Sequence, residues 1–423
     1  MKKVFIYTEH VCEKRKLDGK KVQFYLEKNG YEIIDSPSKA DIIFISSCGT
    51  TDRYTQETFD ILERFKKYKG EKIVIGCVPK TDKEKFNEKF KGKSVVTDEM
   101  EKIDEIFPEN KIKFKEIDDG NVLTSCLDDG LIKEKIKKKL LKNRLTKKAY
   151  VDLSTYILKL IVGENHLLLG NLARVPIDDI YFVRTSWGCS QNCAYCGIRK
   201  ATGKFHSKPI EICIDEFKKG IDKGYKKIFL PADDTGAYGK DIGLTFPKLL
   251  EEFLKFEGDY KISIYALNAV WLVKYVEELE KIVKSDKISG ISVPVQSGNS
   301  RILKLMNRYH DTEKMKDAFL RIKKANPNVE TCTHIIIGFP TETKEEFKDS
   351  IDFIIDSKIN MGAILKMSVK SGTLAEKIDP KVPEEEIEER AKMAYNLLKK
   401  HGYKVTRSEF GMVFGGKYKI KKG

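Results

Sequence analysis

The chain has 423 residues, of which 41% are hydrophobic and 34% are charged, and its formal net charge is +15. A chain of this length can bury a large core and suggests roughly two to three domains, and it contains no apolar run of the roughly 18 residues that a membrane-spanning helix requires. The first residues, MKKVFIYTEH, lack the apolar core of a signal peptide, so we predict a cytoplasmic protein. The positive charge fits a nucleic-acid partner, although lysines spread over solvated helix faces give the same total.

Residues 1–115 alternate between short apolar runs and amphipathic stretches. The runs KVFIYT, ADIIFISS and EKIVIG predict strands, and DGKKVQFYLEKNG and TQETFDILERFKKYKG predict helices. This alternation indicates an open parallel sheet. A cysteine follows each predicted strand, at Cys12, Cys48 and Cys77. Because the carboxyl ends of parallel strands share one edge, we expect the three thiols to converge there; the alternative is that each is an ordinary buried cysteine at a strand end.

The rest of the chain divides into three parts. Residues 116–177 predict a linker or insert with a basic amphipathic helix around 133–148, and residues 381–423 predict a last helix and a short tail. Between them, residues 178–380 alternate again, which predicts a partial or full (β/α) barrel with its working loops at the carboxyl ends of the strands. Its predicted strands are IYFVRTS, KKIFLPAD, KISIYAL, ISGISVPV, ETCTHIIIGF and MGAILKMSV. The predicted fold class is therefore α/β, an open parallel-sheet domain followed by a barrel.

The nine cysteines carry the clearest chemical signal. Without a signal peptide, they predict metal ligands or redox groups rather than a disulfide framework. Cys189, Cys193 and Cys196 form a C-x3-C-x2-C pattern directly after a predicted strand. A structural zinc site needs a fourth ligand, and none follows at a usual spacing. Three thiolates instead suit a 4Fe–4S cluster, because they bind three irons and leave the fourth iron open.

This triplet, with the aromatic Tyr195 before its last cysteine, resembles the radical S-adenosylmethionine (radical SAM) superfamily. The stretches ADDTGAYGKDIG, LNAVW, VPVQSGNSRILKLMNR and HIIIGFPTET resemble the methylthiotransferase family more closely, particularly its archaeal and eukaryotic threonylcarbamoyladenosine branch. The N-terminal domain resembles that family at SSC and GCVP. The resemblance covers about residues 1–110 and 180–395.

The resemblance implies an enzyme with two clusters. Cys189, Cys193 and Cys196 would hold the cluster that cleaves S-adenosylmethionine (SAM) to a 5′-deoxyadenosyl radical. Cys12, Cys48 and Cys77 would hold an auxiliary 4Fe–4S cluster that carries the sulfur. One SAM would methylate that sulfur, and a second would supply the radical that activates a substrate C–H bond. A reducing partner such as a flavodoxin or ferredoxin would deliver the electron.

Other polar or backbone groups at strand ends are candidates for binding SAM or the substrate. They are Tyr195, Asp233, Asp234, Thr235, Asn268, Gln296, Ser297, Gly338, Phe339 and Pro340. Helix capping, a plain strand-end turn and ordinary packing are the structural alternatives for these residues. Arg184, Arg199 and Lys204 lie near the first triplet in sequence and could favour anionic states of its cluster.

Three departures from the family pattern bear on the substrate. The family's C-terminal TRAM domain has no counterpart in the short tail, its RPGT-like stretch becomes VKSGT (369–373), and ATG (201–203) replaces ARG after the triplet. We interpret the departures as retained chemistry with a changed substrate, a polypeptide side chain in a ribosomally made peptide or a protein. The alternative substrate is a tRNA adenosine beside the anticodon, carrying a threonylcarbamoyl or isopentenyl group. An alternative of another class is a non-catalytic Fe–S electron-transfer or scaffold protein.

Overall fold

A computed structural model describes residues 1–123, 179–408 and 410–416 of the chain. The predicted basic helix around 133–148, and the rest of the predicted linker from residue 124 to 177, lie outside the described residues. The chain divides into two compact units. The first unit contains the N-terminal residues together with the short segments 196–204 and 370–372, and the second contains most of the remaining described residues.

The first unit is built on a parallel sheet of five described strands in the order β2-β1-β3-β4-β5. These strands are β1 (Lys3–Tyr7), β2 (Glu32–Ile33), β3 (Ile42–Ser47), β4 (Glu71–Gly76) and β5 (Lys93–Val96). Every residue of the central strand β3 is buried, as expected of a parallel strand covered on both faces. The predicted strands KVFIYT, ADIIFISS and EKIVIG are therefore confirmed as β1, β3 and β4.

Helices cover this sheet and leave the carboxyl ends of its strands accessible to loops. They are α1 (Glu13–Lys28), α2 (Asp52–Phe65), α3 (Val78–Thr81), α4 (Lys83–Lys89), α5 (Ile103–Ile106) and, from the segment 196–204, α6 (Arg199–Thr202). On one face a core forms around Tyr25, Phe44 and Phe107, and on the other around Phe59, Leu62 and Val74. Helix α1 begins directly after Cys12 and α3 directly after Cys77, so both cysteines occupy helix N-caps.

The second unit is built on a sheet whose described order is β14-β15-β13-β12-β11-β10-β9-β6. Its six consecutive parallel strands are β6 (Ile180–Phe182), β9 (Lys227–Leu230), β10 (Lys261–Ile264), β11 (Ile288–Ser292), β12 (Glu330–Ile337) and β13 (Met361–Lys366). All six were predicted from the sequence, with ends that extended into the following loops. In the described order β14 and β6 occupy opposite ends of the sheet, so the barrel is partial.

Helices alternate with these strands, as a parallel sheet requires. They are α7 (Ile210–Asp222), α8 (Phe246–Leu254), α9 (Ala269–Lys274), α10 (Val276–Val283), α11 (Ser300–Leu305), α12 (Thr312–Ala325), α13 (Lys344–Asp356) and α14 (Glu384–Lys400). A short antiparallel pair, β7 (Ser186–Trp187) and β8 (His206–Ser207), lies beside the loop that carries the cysteine triplet.

The C-terminal part of the second unit differs from the prediction of a helix followed by a tail. After α14 the chain forms β14 (Lys404–Ser408) and β15 (Gly411–Gly415), an antiparallel hairpin. Strand β15 pairs antiparallel with β13 and so extends the barrel sheet. Residues Val405 and Phe414 pair in this hairpin, and Phe414 is fully buried. The run VTRSEFGMVF thus carries a strand signal that its charged residues and short length obscured.

Among the residues that the structure describes, every helix is too short or too polar to cross a lipid bilayer.

Candidate active site

The loop after β7 carries Cys189 and Cys193 in the second unit, and both side chains are half-buried. The backbone N–H of Gln191 donates a hydrogen bond to Cys189 Sγ at 3.4 Å. Burial raises the pKa of the Cys189 thiol, and the nearby Asp234 carboxylate and Cys193 thiol raise it further. The two thiols therefore lie within electrostatic reach of each other. Cys196 is also half-buried and belongs to the segment that clusters with the first unit.

Asp234 anchors the first part of this loop. Its Oδ2 atom accepts hydrogen bonds from Ser190 Oγ at 2.6 Å and from Ser190 N at 3.3 Å, and its Oδ1 accepts from Trp271 Nε1 at 2.9 Å. The carboxyl group is 1% exposed. Burial raises the pKa of Asp234, although these donors act in the opposite direction. In this structure the carboxyl group is thus committed to positioning the cysteine loop, and its predicted contact with SAM or substrate stays a prediction.

Three consecutive residues after α11 hold the second part of the loop. The carbonyl of Met306 accepts from Ala194 N at 2.9 Å, and the side chain of Asn307 donates to Asn192 O at 2.8 Å. Arg308 Nη1 donates to Cys193 Sγ at 3.4 Å, and its Nη2 donates to Pro294 O. Asn307 adopts a left-handed conformation with φ of 54°. This segment follows α11 directly, so a rigid element of the barrel holds the cysteine loop.

The carboxyl edge of the barrel sheet concentrates unusual backbone conformations. Three non-glycine residues at or just after the ends of strands β10, β11 and β12 have positive φ angles: Ala266 at 55°, Gln296 at 80° and Thr341 at 69°. Such conformations cost of order 1–3 kcal/mol each and cluster at binding and catalytic sites. This edge therefore has the character of a functional site, which agrees with the predicted location of the working loops.

Gln296 is the predicted binding residue that this edge presents most openly. Its backbone forms a bridge to β12, with Gln296 N donating to His334 O at 2.8 Å and Ile336 N donating to Gln296 O at 2.9 Å. The side chain is half-buried and makes no hydrogen bond within the described part of the chain. Its amide is thus available to a ligand, and its predicted role in binding SAM or the substrate stays a prediction.

Three other predicted binding residues are engaged in local structure. Thr235 is buried and its hydroxyl donates to the carbonyl of Tyr265. Asn268 caps α9 by accepting from Val270 N at 3.3 Å, and Ser297 lies buried with its Oγ 3.3 Å from Ser350 Oγ of α13. Each follows the capping or packing alternative in this structure. Asp233 is half-buried and adds to the electrostatic environment that raises the Cys189 pKa.

The segment Gly338–Pro340 forms a buried turn after β12. Gly338 has φ of 84°, and a Cβ at this position would lie 2.6 Å from Ile387 of α14, so only glycine fits. Its N–H donates to Glu342 Oε2 at 2.8 Å, and Glu342 is paired with Arg390 at 3.4 Å. Burial raises the pKa of Glu342 to about 7. The turn is therefore held rigidly against α14, as a backbone platform for a ligand requires.

In the first unit, Cys12, Cys48 and Cys77 follow β1, β3 and β4 at the same edge of the sheet. Burial raises the pKa of Cys48 to about 12, and the neighbouring thiols of Cys12 and Cys77 contribute to that shift. The three sulfurs thus influence one another electrostatically, as the expected convergence requires. Arg15 Nη1 donates to Cys77 Sγ at 3.8 Å, and Cys48 Sγ lies 3.0 Å from Thr50 Oγ1.

Comparison with known proteins identifies both halves of the chain. Residues 183–354 match the Radical SAM superfamily, and residues 3–98 match the uncharacterized protein family UPF0004. A probable threonylcarbamoyladenosine tRNA methylthiotransferase of Pyrococcus horikoshii is 27% identical over 96% of this chain and 87% of its own length. A tRNA-2-methylthio-N(6)-dimethylallyladenosine synthase of Clostridium botulinum is 29% identical, covering 95% of this chain and 83% of the relative. The two family matches and the names of these relatives together support the radical SAM methylthiotransferase family.

Two further comparisons agree with this membership. A ribosomal protein uS12 methylthiotransferase of Clostridium novyi is 27% identical over 95% of this methylthiotransferase and 83% of the relative. Among solved structures, the radical SAM methyltransferase TsrM from Kitasatospora setae shares the fold, with a TM-score of 0.57 and 11% identity over 86% of this chain and 73% of that one. The predictions of the family, the fold class and an enzyme are therefore confirmed.

The donor sets of this methylthiotransferase fit iron–sulfur clusters better than single metal ions. Within the described ranges, no group of three His, Cys, Asp or Glu side chains is close enough to hold one ion. A 4Fe–4S cluster makes a different demand, because each thiolate binds its own iron and the sulfurs stand further apart than the ligands of one ion. The thiols of Cys12 and Cys77 raise the pKa of Cys48 electrostatically, so the three sulfurs are near neighbours. Such a set of separate thiolates suits a cluster.

The departures at VKSGT and ATG include both buried and exposed residues: Lys370, Ala201 and Thr202 are buried, whereas Ser371 is exposed. Lys370 is 2% exposed, and its Nζ contacts Asp82 Oδ1 at 2.9 Å, Asp52 Oδ1 at 3.1 Å and Thr55 Oγ1 at 3.0 Å, all within the first unit. Ala201 and Thr202 of α6 are also buried. Lys370, Ala201 and Thr202 therefore pack internally, and Ser371 is the departing residue that is exposed.

Four residues with evident roles were missed by the sequence analysis. They are Trp271, His334, Arg308 and Lys370. The first two lay inside stretches quoted for the family resemblance, LNAVW and HIIIGFPTET, and Arg308 ends another. No local pattern separates them from their neighbours, because their significance arises from contacts with residues distant in sequence. By contrast, the predicted neighbours Arg199 and Lys204 are exposed, and Arg184 is buried beside the Trp187 ring.

Proposed function

We propose that this enzyme inserts a methylthio group at an unactivated C–H bond with two 4Fe–4S clusters and two molecules of SAM. Cys189, Cys193 and Cys196 would hold the first cluster, and Cys12, Cys48 and Cys77 the auxiliary cluster. The observation that carries the proposal is the second set of mutually interacting thiols at a sheet edge, separate in sequence from the radical SAM motif. When bound, the first cluster and SAM would supply the radical, and the auxiliary cluster would supply the sulfur.

The chain's own residues would hold and shield these groups. Asp234 and the Met306–Arg308 segment fix the loop of Cys189 and Cys193, and the rigid Gly338–Pro340 turn offers backbone groups to SAM. Aromatic side chains line the sheet. Phe182 contacts Phe229, and Phe229 contacts Tyr265, with ring centroids 5.6 Å apart in each pair. Such apolar surroundings keep water away from a carbon radical.

For the substrate we propose an adenosine in tRNA. The relatives from P. horikoshii and C. botulinum are named for tRNA modification and align over nearly the whole chain. The net charge of +15 suits a polyanion. The polypeptide substrate was inferred partly from departures at Lys370, Ala201 and Thr202, and these side chains are buried and so do not distinguish the two classes. A polypeptide stays a prediction, favoured by the relative named for ribosomal protein uS12.

The reconstituted and reduced enzyme should attach a methylthio group, with its methyl from SAM and its sulfur from the auxiliary cluster, to tRNA that carries threonylcarbamoyladenosine or isopentenyladenosine. Mass spectrometry of digested nucleosides detects the product, and chromatography detects 5′-deoxyadenosine. A protein digest of a lysate treated in parallel is the matched control for the peptide class. Methylthiolated peptides with unchanged tRNA would refute the tRNA proposal and support the polypeptide prediction. Absence of 5′-deoxyadenosine from a cluster-loaded protein would refute the radical reaction itself.

His334 is the residue that we propose contacts this substrate. On β13, Lys366 pairs with Glu384 and Glu388 of α14. Helix α14 therefore covers the face of the sheet on which the Lys366 side chain lies. Lys366 lies in register with Ile337 of β12. Because side chains alternate along a strand, His334 lies on the opposite face, inside the curved sheet. Its Nε2 has no partner among the described residues.

The imidazole of His334 is prepared to bind a neutral polar group. Burial lowers its pKa to about 4, so the ring is uncharged near neutral pH and can donate or accept one hydrogen bond at Nε2. A buried polar atom without a partner is unfavourable, and a ligand that supplies one recovers that energy. The residue after His334, Ile335, forms the β-bridge to Gln296, and the Gln296 side chain is also available to a ligand.

Replacing His334 with phenylalanine should raise the KM for tRNA about tenfold, since a lost hydrogen bond worth about 1.4 kcal/mol changes affinity by that factor. Cleavage of SAM without substrate should remain at the wild-type rate, because the cluster loop is untouched. Steady-state kinetics with both readouts checks this. His310→Phe, at an exposed histidine, is the control. An unchanged KM, or an equal rise in the control, would exclude the substrate contact.

A further inference from the structure

We infer that Arg308 is a positioning residue of the radical SAM cluster, which it holds through Cys193 and whose reduction potential it raises. Its guanidinium donates to Cys193 Sγ at 3.4 Å with one nitrogen and to Pro294 O with the other. The fork thereby joins a cysteine of the loop to the end of β11. Arg308 thus brings a cationic group into contact with a thiol of the triplet within the described residues of the second unit.

The neighbouring residues give this contact a fixed geometry. Met306 and Asn307 bind Ala194 and Asn192, the residues on either side of Cys193. The loop is thus held at three successive positions by three successive residues. Asn307 adopts a left-handed conformation to make this possible, a strain that persists only where surrounding structure enforces it. The contacts of Met306 and Asn307 therefore hold the backbone of Arg308 close to the cysteine loop.

The charge of Arg308 is permanent. Burial by itself would lower the pKa of the guanidinium, but Tyr195, Cys193 and Asp234 together raise it above its usual value. The residue therefore carries its positive charge at every pH at which the enzyme folds. The cations predicted from sequence to act on this cluster were Arg184, Arg199 and Lys204. Arg308, which contacts the Cys193 thiol, lies 115 positions after that cysteine in the chain.

A positive charge beside a thiolate ligand favours the more negative, reduced form of a cluster. Hydrogen bonds to sulfur and local charge are among the features that set the potentials of iron–sulfur clusters. One-electron reduction adds a negative charge, and the guanidinium stabilises that charge more than it stabilises the oxidised form. Removing it should therefore shift the potential to more negative values and make reduction harder. The inference rests on the cluster implied by the family, and it does not depend on the substrate.

The test measures the reduction potential directly. Cys12, Cys48 and Cys77 are first replaced by alanine, so that the radical SAM cluster alone contributes the signal. Redox titration followed by electron paramagnetic resonance then compares the parent with Arg308→Gln, which keeps a donor but loses the charge, and Arg308→Lys, which keeps the charge without the planar fork. Arg301→Gln is the matched control, because Arg301 lies on α11, is exposed and pairs with Glu346.

Arg308→Gln should show a clearly more negative potential, Arg308→Lys a smaller shift in the same direction, and Arg301→Gln none. The iron content of each protein confirms that equal clusters are compared. Wild-type potentials in both Arg308 variants would overturn the inference, as would an equal shift in the Arg301 control. If Arg308→Gln does not retain its cluster, Arg308→Met, which also removes the charge, is titrated instead, and an unshifted potential there overturns the inference. A failure of methylthio transfer to tRNA would leave this result unaffected.

Discussion

Replacing Cys48 with serine is expected to abolish methylthio transfer and to leave the reductive cleavage of SAM intact. Cys48 is 1% exposed, lies after β3 in the first unit and interacts with Cys12 and Cys77, so its loss removes a ligand of the proposed auxiliary cluster. Cys193→Ser should instead abolish both reactions. Changes to residues around a metal centre typically cost about 10–100-fold, and the loss of a ligand should cost at least that.

The two readouts separate the roles of the two sets of cysteines. 5′-Deoxyadenosine reports the radical SAM site, and the methylthio product reports both sites together. Cys213→Ser is the matched control, because Cys213 is fully buried in α7 and belongs to neither set; it should retain both activities. Loss of 5′-deoxyadenosine in Cys48→Ser, with the iron of the first cluster still present, would contradict the division of labour. Full methylthio transfer by that variant would contradict an auxiliary cluster at this site.

The strands and the class of fold were predictable because their signals are local. β3 is an unbroken apolar run that a buried parallel strand requires, and α2 and α8 have the apolar face that packs on a sheet. The hairpin of β14 and β15 escaped prediction because its outer strand is polar and mostly exposed. Pairing with β13 stabilises it, and the sequence of the hairpin alone does not contain that partner.

The candidate site, like the fold, was predictable where its signal is local in the sequence. A cysteine spacing is a local pattern, so the C-x3-C-x2-C motif identified the radical chemistry directly. Asp234 was singled out as a binding residue, which stays a prediction, and its four hydrogen bonds to the loop and to Trp271 depend on how distant segments meet. The same holds for Arg308 beside Cys193. Residues whose role is to hold other residues carry little signal of their own in one sequence.

Lys370→Met is expected to destabilise the first unit by about 3–5 kcal/mol, the usual cost of removing one partner from a buried ion pair. The ammonium is 2% exposed and lies 2.9 Å from Asp82, whose side chain is 11% exposed. Asp52 is 64% exposed and contributes little, because water screens its charge. The penalty therefore arises mainly from leaving the Asp82 carboxylate buried and uncompensated.

The same network explains why the loss should also reach the auxiliary cysteines. Asp82 precedes α4 and receives hydrogen bonds from Thr55 of α2 and Thr81 of α3, the helix that begins after Cys77. Asp52 begins α2, four residues after Cys48. Lys370 thus ties together the two loops that carry these thiols. Iron retained by the auxiliary site should fall along with stability in Lys370→Met.

Chemical denaturation of the whole chain, followed by circular dichroism, measures the stability change, and iron analysis in a Cys193→Ala background measures retention at the auxiliary site. Lys381→Met is the control, because its pair with Asp379 is exposed and should contribute less than about 1 kcal/mol. Lys370→Met combined with Asp82→Asn should recover part of the loss, since the uncompensated charge is then gone. Equal stabilities of Lys370→Met and the control would show that the buried pair is not what holds these loops.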